Sequence, residues 1–157
     1  MKRRDDWRGT LLFLGIVTTI AFILYGILMT LPAVGAELRD RELLARMAYS
    51  EARGDGVLGM TAVSNVAINR LKQPERFGRT LIEVLRAPRQ FAVGPARRAS
   101  DRHWQLALWV AEGALDGTLP DLTKGSTHFF VCNMRRPPRW AFTLQRTIRI
   151  GRHCFAR

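Results

Sequence analysis

The stretch TLLFLGIVTTIAFILYGILMTLPAVGAE, Thr10 to Glu37, carries no charged residue before Glu37. Its densest part, Leu11 to Leu31, is long enough as a helix to cross a hydrocarbon layer of about 30 Å. A helix that is apolar on every side needs lipid or a large protein core around it. A chain of 157 residues has room for one compact domain plus an appendage, and nothing else in it would cover such a helix. Lys2, Arg3, Arg4 and Arg8 precede the run and favour an N-inside orientation, with the rest of the chain outside the cytoplasm. Two fates compete. The length favours an uncleaved transmembrane anchor, since the apolar part of a signal peptide is usually about 7–15 residues. The small residues Val34-Gly35-Ala36 instead fit a signal helix cleaved after Ala36. Either way the chain divides into residues 1–36 and an exported domain, residues 37–157.

The charge balance is one-sided: 25 Lys and Arg against 13 Asp and Glu, net +12. The first 36 residues hold four basic and two acidic side chains, so the exported part keeps +10. Such a surface suits an anionic partner. Export makes nucleic acid a poor partner and an envelope polymer a good one. The cysteines, Cys132 and Cys154, can form a disulfide in an oxidising compartment. Spacing alone leaves two free buried thiols as the alternative.

Within residues 37–157 helical patterns come first. Asp40 is a candidate N-cap for a helix from Arg41 to about Arg53, which Gly54 and Gly56 bend or end. A second helix fits Val57 to Leu71, with Val63, Val66, Ala67 and Leu71 towards the core, and Pro74 pushes Gln73 out of helical geometry. Thr80 and Glu83 form a capping box for a short helix that Pro88 stops. Ser100 or Asp101 caps a longer helix to about Asp116, with Trp104, Ala107, Leu108, Ala111 and Leu115 as its stripe. Then STHFFVC and RTIRIGRHCFAR read as β-like pieces able to pair as a small antiparallel ribbon. The class is α+β, mostly helical with a small antiparallel element.

The spacing offers little metal or nucleophile chemistry. His128, Cys132, His153 and Cys154 do not make a zinc set, because His153 and Cys154 are neighbours in a strand and point to opposite faces. There is no nucleophile elbow and no phosphate loop; no metal or cofactor is expected. A carboxylate remains. Leu44, Met47, Ala48 and Glu51 fall at helical spacing, and Glu51 puts an acid on that apolar stripe near the helix C-terminus. Burial and the helix dipole there both raise a carboxyl pKa, which suits a general acid. Pairing with Arg53 or another arginine would lower it instead.

The block LLARMAYSEARGDGVLGMTAVSNVAINRL resembles the opening of the SleB-type cell wall hydrolases, the family of spore cortex-lytic enzymes. Gln90-Phe91, GSTHFF, Pro138 with Trp140, and IGRHCF follow in the order of that family, so the resemblance covers Leu43 to the C-terminus. It implies a lysozyme-like or transglycosylase-like domain that cuts peptidoglycan between N-acetylmuramic acid and N-acetylglucosamine, with Glu51 as catalytic acid. A lytic transglycosylase needs one carboxyl, whereas a hydrolase usually needs two. Asp121 is the last acid in the chain, which leaves Asp55 and Asp101 as candidate second carboxylates. Gln90 is a candidate to hydrogen-bond a sugar acetamide and Phe91 and Trp140 to stack on sugar rings, and the resemblance implies that Thr127 and His128 face the cleft opposite Glu51; Arg53, Asn69 and Arg70 are candidates for support, Asn69 and Arg70 by fixing the Glu51 helix. His153 reads as structural. Asp55 stands where relatives often have Glu, and FFVCNMRRPPRW is longer and more basic than the family pattern.

A non-catalytic wall-binding or envelope-assembly module would keep the basic surface and the aromatics without needing Glu51. A membrane-anchored nucleic-acid binder would require the basic domain inside the cytoplasm.

Overall fold

Every residue from Gly59 to Ala67 of the helix Gly56–Leu71 is buried, polar ones included. This helix, α2, is the axis of the fold. The computed structural model describes the backbone of residues 7–157 and the side chains of residues 16–27 and 35–157. Five helices and three strands are described: α1 (Trp7–Ala52), a 3-10 turn (Arg53–Asp55), α2, α3 (Pro74–Phe77), α4 (Leu81–Arg86), α5 (Arg102–Leu115), β1 (His128–Val131), a second 3-10 turn (Arg139–Phe142), β2 (Arg146–Ile150) and β3 (His153–Ala156).

The chain divides into two compact units, Met1–Leu38 and Arg39–Arg157. In the first, the described apolar side chains from Ile16 to Tyr25 are exposed, Phe22 to 77%. Among the described residues no helix is long and apolar enough to cross a membrane. The basic cap at residues 1–6 lies outside the described residues, and so do many side chains of the expected Leu11–Leu31 span. One expectation needs correction here. Asp40 caps no new helix, because it lies inside α1, which is continuous to Ala52. Residues 36–48 are rich in Ala, Leu, Glu, Arg and Met, all strong helix formers, so the backbone needs no stop before Asp40.

The second unit has its own core. Leu44, Met47 and Ala48 of α1 are fully buried against Met60, Val63 and Val66 of α2, Leu81, Val84 and Leu85 of α4, and Ala107, Val110 and Ala111 of α5. The expected stripe on α2 was too narrow: Val63, Val66 and Ala67 are buried, but so are Thr61, Ser64, Asn65, Asn69 and Arg70. Helices surround α2, so its polar side chains hold neighbouring loops instead of facing water. Asn65 Oδ1, for instance, accepts the Leu122 N–H at 3.0 Å. The capping box of α4 forms, with Thr80 Oγ1 accepting from Glu83 N–H and Glu83 Oε2 from Thr80 N–H, each at 3.3 Å. Asp101 caps α5 by accepting the N–H groups of His103 and Trp104.

The expected two-piece ribbon is a three-stranded antiparallel sheet in the order β1-β3-β2. RTIRIGRHCFAR splits because Gly151, at φ +57°, opens a two-residue hairpin turn with Arg152 at its tip. Phe129 lies opposite Phe155, and with Ile148 and Ile150 they form the face that packs on the helical core. His128, Phe130 and Cys154 alternate onto the other face. Cys154 is bonded to Cys132, 22 residues earlier in the chain. Replacing both cysteines by Ser is expected to lower stability by about 3 kcal/mol, from the loop entropy released to the unfolded chain. The midpoint of urea unfolding measures it.

Candidate active site

Glu51 sits one residue from the end of α1, half-buried, with the loop of residues 90–97 laid along its helix. Three contacts pin that loop. Arg46 Nε donates to the Gly94 carbonyl at 2.6 Å. Ser50 Oγ accepts the Gly94 N–H at 2.9 Å and donates back to the Arg46 carbonyl at 2.7 Å. Glu51 Oε1 accepts the Ala92 N–H at 2.5 Å. A Cβ at Gly94 would lie 2.7 Å from Ser50 Oγ, so only glycine lets the loop come this close. The sequence reading named neither Arg46, Ser50 nor Gly94. The Gly-Pro pair in QFAVGPA, a loop signal that ends no helix, was the available signal. Burial raises the Glu51 pKa above the ordinary carboxylate value, while the Ala92 N–H and the nearby Arg152 charge pull the other way without cancelling it. Oε1 carries the hydrogen bond to the loop, so Oε2 is the oxygen suited to hold a proton.

The other acids nearby are engaged. Asp55 Oδ2 lies 3.0 Å from His153 Nδ1 and 3.3 Å from Arg152 Nε, and Oδ1 accepts the Arg152 N–H at 3.4 Å. His153 is buried, and desolvation, the largest effect on it, holds its pKa below the usual value although Asp55 pulls it up. Asp101 accepts the Tyr49 hydroxyl at 2.7 Å besides capping α5, and the Tyr49 bond holds the Asp101 carboxyl below its usual pKa. Arg53 pairs with no carboxylate among the described residues; its guanidinium lies over the Tyr49 ring at 5.2 Å.

Asn69 and Arg70 act elsewhere than expected. Instead of bonding the Glu51 helix, they hold the loop before β1 and the start of the loop that begins at Gln90. Asn69 Nδ2 donates to Asp121 Oδ2, Thr123 Oγ1 and the Ser126 carbonyl. Arg70 Nε donates to the Thr127 carbonyl at 2.7 Å and Nη1 to Gln90 Oε1 at 3.0 Å. The Arg70 guanidinium lies 4.7 Å from the Phe91 ring centroid and 5.0 Å from that of Phe77. Sequence adjacency to α2 could not reveal these partners, which lie 20 and 57 residues away.

Gln90 and Phe91 therefore lead directly into the Ala92 that touches Glu51, and Phe91 packs on Phe129 at 6.0 Å between centroids. Thr127 is buried, with Oγ1 2.9 Å from His128 Nδ1. His128 packs on Trp140, 4.9 Å between centroids, and Trp140 on Phe130, on the sheet face away from Phe129. Burial first, then the charges of Arg70 and Arg76, lower the His128 pKa to about 4, so it is neutral at pH 7. Its electrostatic neighbours are those arginines and not Glu51.

A half-buried carboxyl with raised proton affinity, beside acids already bonded, is suited to deliver a proton. The known proteins this chain is similar to fit that chemistry. The family model for cell wall hydrolases matches residues 54–156, beginning three residues beyond Glu51. No curated protein matches. Two solved structures are similar. One is the catalytic domain of the Bacillus cereus SleB protein, with 26% identity over 75% of this chain and 89% of that one and a TM-score of 0.63. The other is the catalytic domain of the germination-specific lytic transglycosylase SleB from Bacillus anthracis, with 25% identity over 75% of this chain and 93% of that one and a TM-score of 0.63. The mostly helical fold with its small antiparallel sheet is shared with these domains, and the chain belongs to the cell wall hydrolases of the SleB type.

Proposed function

We propose that the protein is a peptidoglycan lytic transglycosylase that cuts the bond between N-acetylmuramic acid and N-acetylglucosamine with Glu51 as sole general acid and base. The observation that carries this reading is the contrast among carboxylates. Glu51 keeps one oxygen for a proton, while Asp101 accepts hydrogen bonds at both oxygens and the Asp55 carboxylate is held in close contact with Arg152 and His153. In the first step Glu51 gives its proton to the glycosidic oxygen, and the bond from that oxygen to the muramic C1 breaks. The Glu51 carboxylate then takes the proton of the muramic C6 hydroxyl as O6 bonds to C1. The ring closes as a 1,6-anhydro sugar, Glu51 is protonated again and no water is consumed. A hydrolase of the usual kind would need a second free carboxylate.

Gln90 and Phe91 are the substrate residues nearest this chemistry. Arg70 holds Gln90 Oε1, which leaves the amide N–H groups to donate to a sugar acetamide. His128 and Trp140 form an aromatic surface on the other side of the sheet, suited to a sugar farther along the strand. Thr127 orients His128, while Arg53 steadies Tyr49.

Residues 1–36 serve as a membrane anchor or as a signal cleaved after Ala36, and residues 37–157 work in the cell envelope, facing the periplasm when anchored. The exposed apolar side chains of Ile16, Ile20, Phe22 and Ile23 support this, because they need lipid to cover them.

The test is the end group released from isolated sacculi by the purified Glu37–Arg157 fragment, read by mass spectrometry. Anhydromuramic ends are expected. Reducing ends would replace the transglycosylase reading with hydrolysis, and sacculus binding without any product would replace catalysis with a wall-binding role.

A further inference from the structure

The end of α1 presents a problem that the sheet solves. The last carbonyls of a helix lack partners and carry a partial negative charge. In α1 that end lies beside an acid whose proton matters. Arg152, at the tip of the β2–β3 hairpin, answers it: its Nη2 donates to the Glu51 carbonyl at 3.1 Å. Arg152 does not reach there freely. Asp55 Oδ2 lies 3.3 Å from its Nε, Asp55 Oδ1 accepts its backbone N–H, and the same carboxylate lies 3.0 Å from Nδ1 of the adjacent His153. A Cβ at Gly151 would fall 2.7 Å from Asp55 Oδ1, so the hairpin approaches Asp55 as closely as a glycine turn permits.

We infer that Arg152 is a positioning residue for Glu51: the hairpin tip closes the end of α1 through the Glu51 carbonyl and fixes a positive charge beside the catalytic carboxyl. The inference rests on the reading of Glu51 as the acid. The other charged groups around Glu51 are accounted for. Arg46, one turn earlier, is bound to the Gly94 carbonyl, and Arg53 stacks on Tyr49. The loop at Ala92 contributes only a backbone N–H. Asp55 and His153 lie against each other, with 3.0 Å between Asp55 Oδ2 and His153 Nδ1. Arg152 is the residue whose charge lowers the Glu51 pKa against burial. It thereby keeps the carboxyl able to return as a base in the second half of the reaction.

Among the described residues the core lies between Leu43 and Ala156, so the Glu37–Arg157 fragment carries it and is the protein to use. Arg152→Gln, Arg152→Met and Arg152→Lys are compared with the parent on solubilised glycan strands across pH. With the charge removed, the alkaline limb of kcat/KM is expected to move up by about half a unit to one unit. Asp55, no longer screened by the guanidinium, pushes in the same direction. In Arg152→Lys the limb is expected to stay while kcat falls, because an ammonium keeps the charge but not the fork that spans Asp55 and the Glu51 carbonyl. An unmoved limb in both neutral variants overturns the inference. A second readout needs no activity: the 13C NMR titration of the Glu51 carboxyl is expected to shift upward in Arg152→Gln, and an unchanged midpoint also overturns it. If Glu51→Gln were to cleave glycan at the parental rate while that midpoint still moved, the functional reading would fall and the hold of Arg152 on Glu51 would stand.

Discussion

Glu51→Gln in the Glu37–Arg157 fragment is expected to lower the release of muropeptides from sacculi by about 10²–10⁴-fold, the usual contribution of one general acid-base group. That corresponds to about 3–5 kcal/mol of transition-state stabilisation. The substitution isolates chemistry from architecture. The Gln amide oxygen can still accept the Ala92 N–H, so the loop at Gly94 and Ser50 keeps its place. What Gln lacks is a proton of carboxylic acidity to give and a carboxylate to take one back. Melting temperature and sacculus binding are therefore expected to stay near parental values while turnover collapses. Release at the parental rate would remove Glu51 from the mechanism.

The helices that carry the site were legible in the sequence because their signals are local. A Thr-x-x-Glu box starts α4, Asp101 starts α5, and Pro74 follows the end of α2, each within a few residues of the element it bounds. Glu51 was legible for the same reason, since an acid on an apolar stripe is visible at helical spacing. What surrounds Glu51 was not. Ala92 and Arg152 reach it from 41 and 101 residues away, and only folding brings them there. Asp55 illustrates the limit. Its position four residues after Glu51 left it open as a second catalytic acid, and only folding brings its carboxylate against the hairpin, 97 and 98 residues later. The sheet was half-read: alternation found both β-like pieces, but Gly151 inside the second was passed over, and with it the turn that makes three strands from two. The stripe on α2 failed differently. A periodic pattern assumes one solvent face, and α2 has almost none.

Arg70→Ala is expected to cost about 3–4 kcal/mol of stability. Arg70 is a buried cation that has no carboxylate partner among the described residues: its bonds go to the Thr127 carbonyl and Gln90 Oε1, and its faces to Phe77 and Phe91. Burial and the neighbouring Arg76 charge lower its pKa to about 10, so it stays charged at pH 7. Two charge-assisted hydrogen bonds are each worth about 1.5–3 kcal/mol and two cation–π contacts about 0.5–1 kcal/mol each, against which the cost of burying the charge is set. Truncation removes the favourable contacts and leaves the Thr127 carbonyl buried without its donor. The effect reaches catalysis because the same guanidinium holds the start of the Gln90–Ala92 segment that touches Glu51. Arg70→Lys separates charge from geometry, since a single ammonium cannot serve both acceptors and lie flat between two rings. It is expected to recover less than half of the lost stability. Urea unfolding of the three proteins measures the energies, and a loss below about 1 kcal/mol in Arg70→Ala would mean that the Phe77 and Phe91 rings, not the guanidinium, hold this side of the site together.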